Sequence, residues 1–377
     1  MQGFLYMKEI VYMDAAASFL KPQSVIDAET DFLLNRYANA GRGVCRRATA
    51  VDDMIHAVRV QLADFINADV SQVVFTSGAT DGLNRIVNII INQPQYNNLS
   101  TFAVSDLEHH SARLPWQELL KAGKIREMLK CELDENFDIK IDSIPNTDVL
   151  VITAMSNVIG RAQDVKKIIA AARKKNPDVI TIVDASQYVV HEQIDVKSWD
   201  CDFMVFSGHK IGADTGVGVL YIRDAEKYMP DKFGGGMVLK VSDTDLVLNN
   251  APEKFEAGTL PLTQICGFGI AIQELKKNRP DLNLVKYMYD ELNKIPKIKI
   301  LTSRDAALLS FVVDGMHVLD FGTLAGANGI CLRVGNMCAS WIHKLLGIDG
   351  SIRVSVGPWN SMLDAEQFIS VVKNIVK

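Results

Sequence analysis

The chain has 377 residues, 40 basic against 45 acidic side chains for a formal charge of −5, and a hydrophobic fraction of 48%. That length calls for one large domain with a smaller companion, and the absence of a basic run excludes nucleic acid as an expected partner. Apolar runs such as Ile86-Val87 with Ile89-Ile90-Ile91 are too short for a membrane span, and Met1 to Tyr12 holds no stretch of signal-peptide character, so a cytoplasmic protein without a membrane partner is expected.

In chain order, the apolar spacing of Val51, Met54, Ile55, Val58, Leu62 and Phe65 predicts a helix. From Gln72 to Arg223, short β-branched runs alternate with segments of helical period, which predicts a mostly parallel sheet wound with helices. Strands are expected at Val73-Thr76, Phe102-Ser105, Val149-Thr153, Ile180-Val183, Phe203-Phe206 and Val217-Ile222. Helices are expected at Thr80-Ile91, His110-Lys121 and Val165-Lys174. Phe233-Gly234-Gly235-Gly236-Met237 and the mixed residues through Leu248 predict a hairpin or extended excursion. Beyond Leu262, helices at Thr263-Glu274, Asn283-Leu292, Leu319-Ala327 and Asp364-Val376, with strands at Ile298-Leu301, Leu309-Val313 and Ser351-Val354, predict a separate α+β unit. The expected division is a large α/β domain over residues 16–260 and a small α+β domain of residues 1–15 with 261–377.

The six cysteines, Cys45, Cys131, Cys201, Cys266, Cys331 and Cys338, show no C-x-x-C pair and no metal-ligand spacing. Reduced thiols and no metal site are expected.

Chemistry-bearing residues cluster at the expected strand ends, where open α/β sheets bind ligands. Ser77-Gly78-Ala79-Thr80-Asp81-Gly82 follows a strand and opens a helix, so the backbone N–H groups around Ala79 and the Thr80 hydroxyl suit a phosphate. In Ser207-Gly208-His209-Lys210, read as extended, Ser207 and His209 face one way toward phosphate oxygens and Lys210 the other. Asp184, at another strand end, is costly to bury unless a positive group meets it. Lys210 suits an aldehyde carbon, Asp184 a protonated pyridine nitrogen, and Gln187 a ring oxygen; together they read as a site for pyridoxal phosphate, held as a Schiff base. His109, in Glu108-His109-His110, is placed to lie over the cofactor ring.

Glu108-His109-His110 with Pro115-Trp116-Gln117, Ser156-Asn157-Val158-Ile159-Gly160, Val183-Asp184-x-x-Gln187, Ser207-Gly208-His209-Lys210, Phe255-Glu256-Ala257-Gly258-Thr259 and Arg333-x-Gly335-x-x-Cys338 resemble the class V aminotransferase superfamily, most of all its SUF-type cysteine desulfurases. The resemblance runs from about Tyr12 to Val376. It implies the fold type I of pyridoxal-phosphate enzymes: a mostly parallel seven-stranded sheet in the large domain, a smaller α+β C-terminal domain, and a homodimer with active sites near its interface. It implies Lys210 as the Schiff-base lysine, Asp184 as the pyridinium partner, Gln187 as the ring-oxygen donor and His109 as the stacking residue. Thr80, Ser207 and His209 resemble phosphate ligands, and Thr259 the residue lent to the phosphate by the neighbouring subunit. Asn157 and Arg353 resemble the pair holding the substrate carboxylate, with Asn360 nearby.

Cys338 resembles the family's sulfur-accepting cysteine, on a loop with a permissive Gly335 and a helix starting at Ala339; Arg333 is placed to assist it. The activity implied is release of sulfur from L-cysteine as a persulfide on Cys338, leaving alanine, with delivery to an acceptor protein for iron–sulfur or thio-cofactor assembly. The alternatives are a selenocysteine lyase, another class V aminotransferase acting on a small amino acid, or a catalytically idle paralogue that binds partners. The chain departs from the family pattern at Asn336-Met337, where two histidines are usual, and at Cys45, where a histidine is usual. It also departs at Ile211-Gly212-Ala213-Asp214-Thr215-Gly216 after the lysine and at Leu260-Pro261-Leu262-Thr263-Gln264 after Thr259.

Overall fold

The structure, a computed structural model, describes residues 10–377 except Arg42, Asn97, Asn98 and the side chain of Gln95. The expectations for residues 1–9 and for Arg42 lie outside the described residues.

The larger sheet has seven strands: β1 (Val73–Thr76), β2 (Thr101–Val104), β3 (Glu127–Lys130), β4 (Val149–Thr153), β5 (Ile180–Asp184), β6 (Phe203–Ser207) and β7 (Gly218–Ile222). Their spatial order is β1-β7-β6-β5-β4-β2-β3. All neighbours are parallel except β7, which runs antiparallel to both β1 and β6. Every residue of β1 and of β4 to β7 is buried. That is why these strands read as continuous apolar runs rather than alternating ones: helices cover both faces of the sheet.

Two apolar clusters fill the two faces. One gathers Val73, Phe75, Ile152, Val183, Met204 and Phe206 with the helices Arg46–Ile66, Val165–Lys175 and Leu262–Lys277. The other gathers Val74, Val151, Ile182, Phe203 and Val205 with the helices Ala79–Ile91 and His110–Lys121. β3 lies outside the strands that the sequence pattern predicts. Its Glu-Met-Leu-Lys sequence contains no β-branched residue, and it forms a half-exposed edge strand because Thr101–Val104 templates it in parallel register.

The excursion after Arg223 is a hairpin of β8 (Val238–Val241) and β9 (Leu246–Leu248). A second, antiparallel sheet holds β10 (Ile298–Ile300), β11 (Leu309–Val313), β12 (Arg333–Gly335) and β13 (Ser351–Val354) in the order β10-β11-β13-β12. Its core combines Phe311, Phe321, Ile352 and Phe368 with Val11 and Met13 from the beginning of the described chain. Helix Leu262–Lys277 packs instead into the larger sheet's core through Ile265, Phe268 and Ile272.

Candidate active site

A cavity of about 270 Å³ lies at the C-terminal ends of β5 and β6. Lys210, Asp184, Gln187, His109, Ala79, Thr80, Ser207, His209, Asn157, Arg333, Arg353 and Cys338 all line it, so one space collects residues from both sheets.

At one end, helix Ala79–Ile91 presents its N-terminus. Gly78, at φ 145°, turns the chain into this helix, and a Cβ there would stand 3.2 Å from Ser207 Oγ. The Ala79 N–H donates to Ser207 Oγ at 2.8 Å, and the Thr80 hydroxyl donates to Ser111 Oγ at 3.1 Å. A helix N-terminus with its dipole and hydroxyls in one corner makes an anion site. Ser207-Gly208-His209-Lys210 departs from the extended reading. Gly208–Lys210 form a 3-10 turn, so Ser207, His209 and Lys210 converge on one cavity instead of facing opposite ways. Burial, then the neighbouring Lys210 and Lys21, hold the His209 imidazole down at about 4.

In the middle, Asp184 is 5% exposed and accepts the Ser186 N–H at 2.9 Å. Among the described residues no cationic side chain lies within ion-pair distance of it. The Lys210 amine donates to the carbonyls of Ala16 (2.6 Å) and Ala17 (3.1 Å). Burial, followed by the positive Arg353, lowers its pKa to about 8, against the opposing pull of Asp184 and Asp14. Gln187 donates to the Ala16 carbonyl at 2.8 Å, while its Oε1 is buried without a partner. His109 caps its own helix, its Nδ1 accepting the Ser111 N–H at 3.2 Å. Burial holds this imidazole below its ordinary pKa, opposed by Asp184 and reinforced by Lys210.

At the far end, Arg353 is 2% exposed on β13, opposite Arg333 on β12. Like charges in cross-strand register repel, and one carboxylate offsets both: Asp14 accepts from Arg353 at 3.0 Å and from Arg333 at 2.7 Å. Arg353 also donates to the Asn157 carbonyl at 2.9 Å, and its Nε is buried without a partner. The Asn157 amide donates to the Met337 carbonyl at 2.8 Å, leaving its Oδ1 unpartnered. Cys338 follows with an exposed thiol, and both Met337 (φ 49°) and Cys338 (φ 53°) are left-handed.

A family model described as aminotransferase class-V matches residues 11–368. The chain belongs to that family. It is 32% identical to a probable cysteine desulfurase of Ureaplasma parvum over 382 residues, covering 98% of this chain and 94% of the relative. Its structure resembles the apo cysteine desulfurase of Thermococcus onnurineus NA1 at TM-score 0.92 and 29% identity, covering 98% of this chain and 95% of the other. It also resembles the Escherichia coli cysteine desulfurase CsdA, solved as an S-sulfonic acid, at TM-score 0.90 and 30% identity, covering 99% and 96%.

Within this class V fold one expected site residue, Asn360, falls elsewhere, and Thr259, expected to serve the neighbouring subunit, lies apart from this cavity. Asn360 does not line the cavity, because its side chain is committed to backbone: it accepts from the Gly357 N–H at 2.8 Å and donates to the Tyr12 carbonyl at 3.1 Å. Thr259 is exposed and lines a different cavity of about 650 Å³ with Arg59, Glu256 and Gly258. Cys45, which stands where a histidine is usual, is exposed just before helix Arg46–Ile66 and lines neither.

Sequence reasoning missed Asp14, the carbonyls of Ala16 and Ala17, and Glu108. Glu108 is wholly buried and accepts from Ser105 Oγ at 2.7 Å; burial raises its pKa to about 8. The only local signal for Asp14 is one charge inside the apolar Val11-Tyr12-Met13-Asp14-Ala15-Ala16.

Proposed function

We propose that this chain is a pyridoxal-phosphate-dependent L-cysteine desulfurase that forms alanine and a persulfide on Cys338. The observation that carries the reading is the meeting of the Lys210 amine and the Cys338 thiol in one cavity. The names of its relatives support it.

The residues fit the cofactor. A buried Asp184 with, among the described residues, no cationic side chain beside it matches a ring cation, and a helix N-terminus flanked by Thr80, Ser207 and His209 matches a phosphate. When bound, pyridoxal phosphate supplies an electron sink for negative charge at the substrate α-carbon.

The chain's own residues divide the remaining work. Lys210, with its pKa near 8, can take a proton from the α-carbon and return one at neutral pH. His109, whose imidazole burial holds below its ordinary pKa, would lie against the ring when the cofactor is bound. Arg353, with Asn157 and Arg333, orients the substrate carboxylate; a planar guanidinium grips it through two parallel hydrogen bonds. Cys338 Sγ takes the substrate sulfur, the carbon–sulfur bond breaks, and protons from solvent or Lys210 complete alanine.

The same reading includes a homodimer with Thr259 lent across its interface, a sulfur-acceptor protein and a cytoplasmic location. Among the described residues no helix is long and apolar enough to cross a membrane. The reading also includes a large and a small domain, the boundary falling after helix Leu262–Lys277, which packs into the larger sheet's core, rather than at residue 261.

The test is to incubate the protein with pyridoxal phosphate and L-cysteine, measure alanine and sulfide, and look for a persulfide on the Cys338 peptide by mass spectrometry. Equal alanine and sulfur with the persulfide at Cys338 is expected, and Cys338→Ser should end it. Absence of alanine defeats the reading. Selenium release or amino transfer surviving in Cys338→Ser transfers it to a selenocysteine lyase or another class V activity.

A further inference from the structure

We propose that His110 is a positioning residue that clamps the Cys338 loop to the cofactor wall, using its backbone at the reactive cysteine and its imidazole two residues beyond it. The His110 N–H donates to the Cys338 carbonyl at 2.7 Å. Its Nε2 accepts the Ser340 N–H at 3.2 Å and lies 3.0 Å from Ser340 Oγ. Helix Ser340–Leu345 therefore begins on an imidazole from the other sheet's side of the cavity.

The clamp is braced. The Trp341 ring packs edge-on against His110 with centroids 5.1 Å apart, and the Arg113 guanidinium sits 4.2 Å over Trp341. Met337 packs against the apolar cluster that holds Leu107, Val158 and Ile342, while Asn157 holds its carbonyl. Two successive left-handed residues are costly, and a segment in that conformation persists only when its surroundings over-determine it. His110 supplies two of the fixing contacts.

The arrangement also links the two ends of the chemistry. His109 and His110 are adjacent, and each imidazole caps a helix: His109 Nδ1 its own, His110 Nε2 the one after Cys338. The residue at the cofactor ring and the residue that holds the sulfur-accepting loop thus move as one dipeptide. An N–H can be accepted only by an unprotonated Nε2, and burial lowers the His110 pKa in that sense. The ionisable neighbours are His109 on its own segment, Cys338 on the loop and Arg113 behind Trp341.

The proposal rests on the desulfurase reading for its catalytic consequence, and its structural part is tested apart from it. Hydrogen exchange at neutral pH over residues 336–345 should speed up about three- to tenfold in His110→Ala, the range expected for loss of one such hydrogen bond. In His110→Gln, whose Oε1 can replace Nε2 as acceptor, exchange should return toward wild type. Under desulfurase assay, kcat should fall in His110→Ala, with KM for L-cysteine and the visible cofactor absorbance unchanged, and recover in His110→Gln. Unchanged exchange in His110→Ala overturns the clamp, as does loss of cofactor absorbance in both variants, which would place His110 in the cofactor's own support. If the wild type makes no alanine, the functional reading fails while the exchange result still decides the clamp.

Discussion

The wall that carries Lys210 and the loop that carries Cys338 face the same cavity but are built in opposite ways. Asp184 and Ser207 sit at the ends of strands buried on both faces, and Lys210 follows on a tight turn, so burial shifts the lysine and both nearby histidines, His109 and His209. Cys338 sits beyond an edge strand, exposed, in a left-handed backbone held by contacts at its flanks. Groups whose protonation must be tuned are mounted on the sheet, where water is excluded; the group proposed to pass sulfur outward is mounted where solvent reaches it.

The largest effect expected is on the wall. Lys210→Ala should lower alanine formation at least about a thousandfold and abolish a borohydride-stable pyridoxyl adduct at position 210. In the wild type, adduct formation follows the unprotonated amine. Its rate should therefore rise with pH and reach half its maximum near pH 8, well below an ordinary lysine. A midpoint above pH 10 would mean that burial does not tune this wall.

An intermediate effect is expected at the far end. Arg353→Lys keeps the charge and loses the planar fork, so KM for L-cysteine should rise roughly tenfold or more while Cys338 remains open to alkylation. Reduced alkylation would show that the arginine supports the loop as well as the substrate.

The smallest effect concerns Glu108. Its folded pKa of about 8 lies above the ordinary 4.5, so folding favours its protonated form. The associated stability is full below about pH 4.5 and declines as pH rises toward 8. Glu108→Gln, which keeps an acceptor for Ser105, should be more stable than wild type at pH 8 by about 1–3 kcal/mol and equal to it at pH 4.5, measured by thermal or denaturant unfolding.

The buried half of the molecule was legible because burial writes itself into sequence: β1 and β4 are each a continuous apolar run closed by one threonine. Lys210, Asp184 and His109 could be named because each follows such a run. Elements defined by partners were not legible. Glu127–Lys130 is a strand only because Thr101–Val104 lies beside it, and the Asn360 amide is taken up by the Tyr12 and Gly357 backbones, the first of them 348 residues away. Asp14 meets Arg353 across 339 residues of chain, a pairing that no local pattern announces.

That shared carboxylate makes Arg333 and Arg353 a single electrical unit. Changing either one alters the counter-charge felt by the other, so the effects of the two single substitutions should not sum to that of the double. Anyone redesigning the pocket for a different acid has three side chains to choose together, one of them more than 300 residues from the other two.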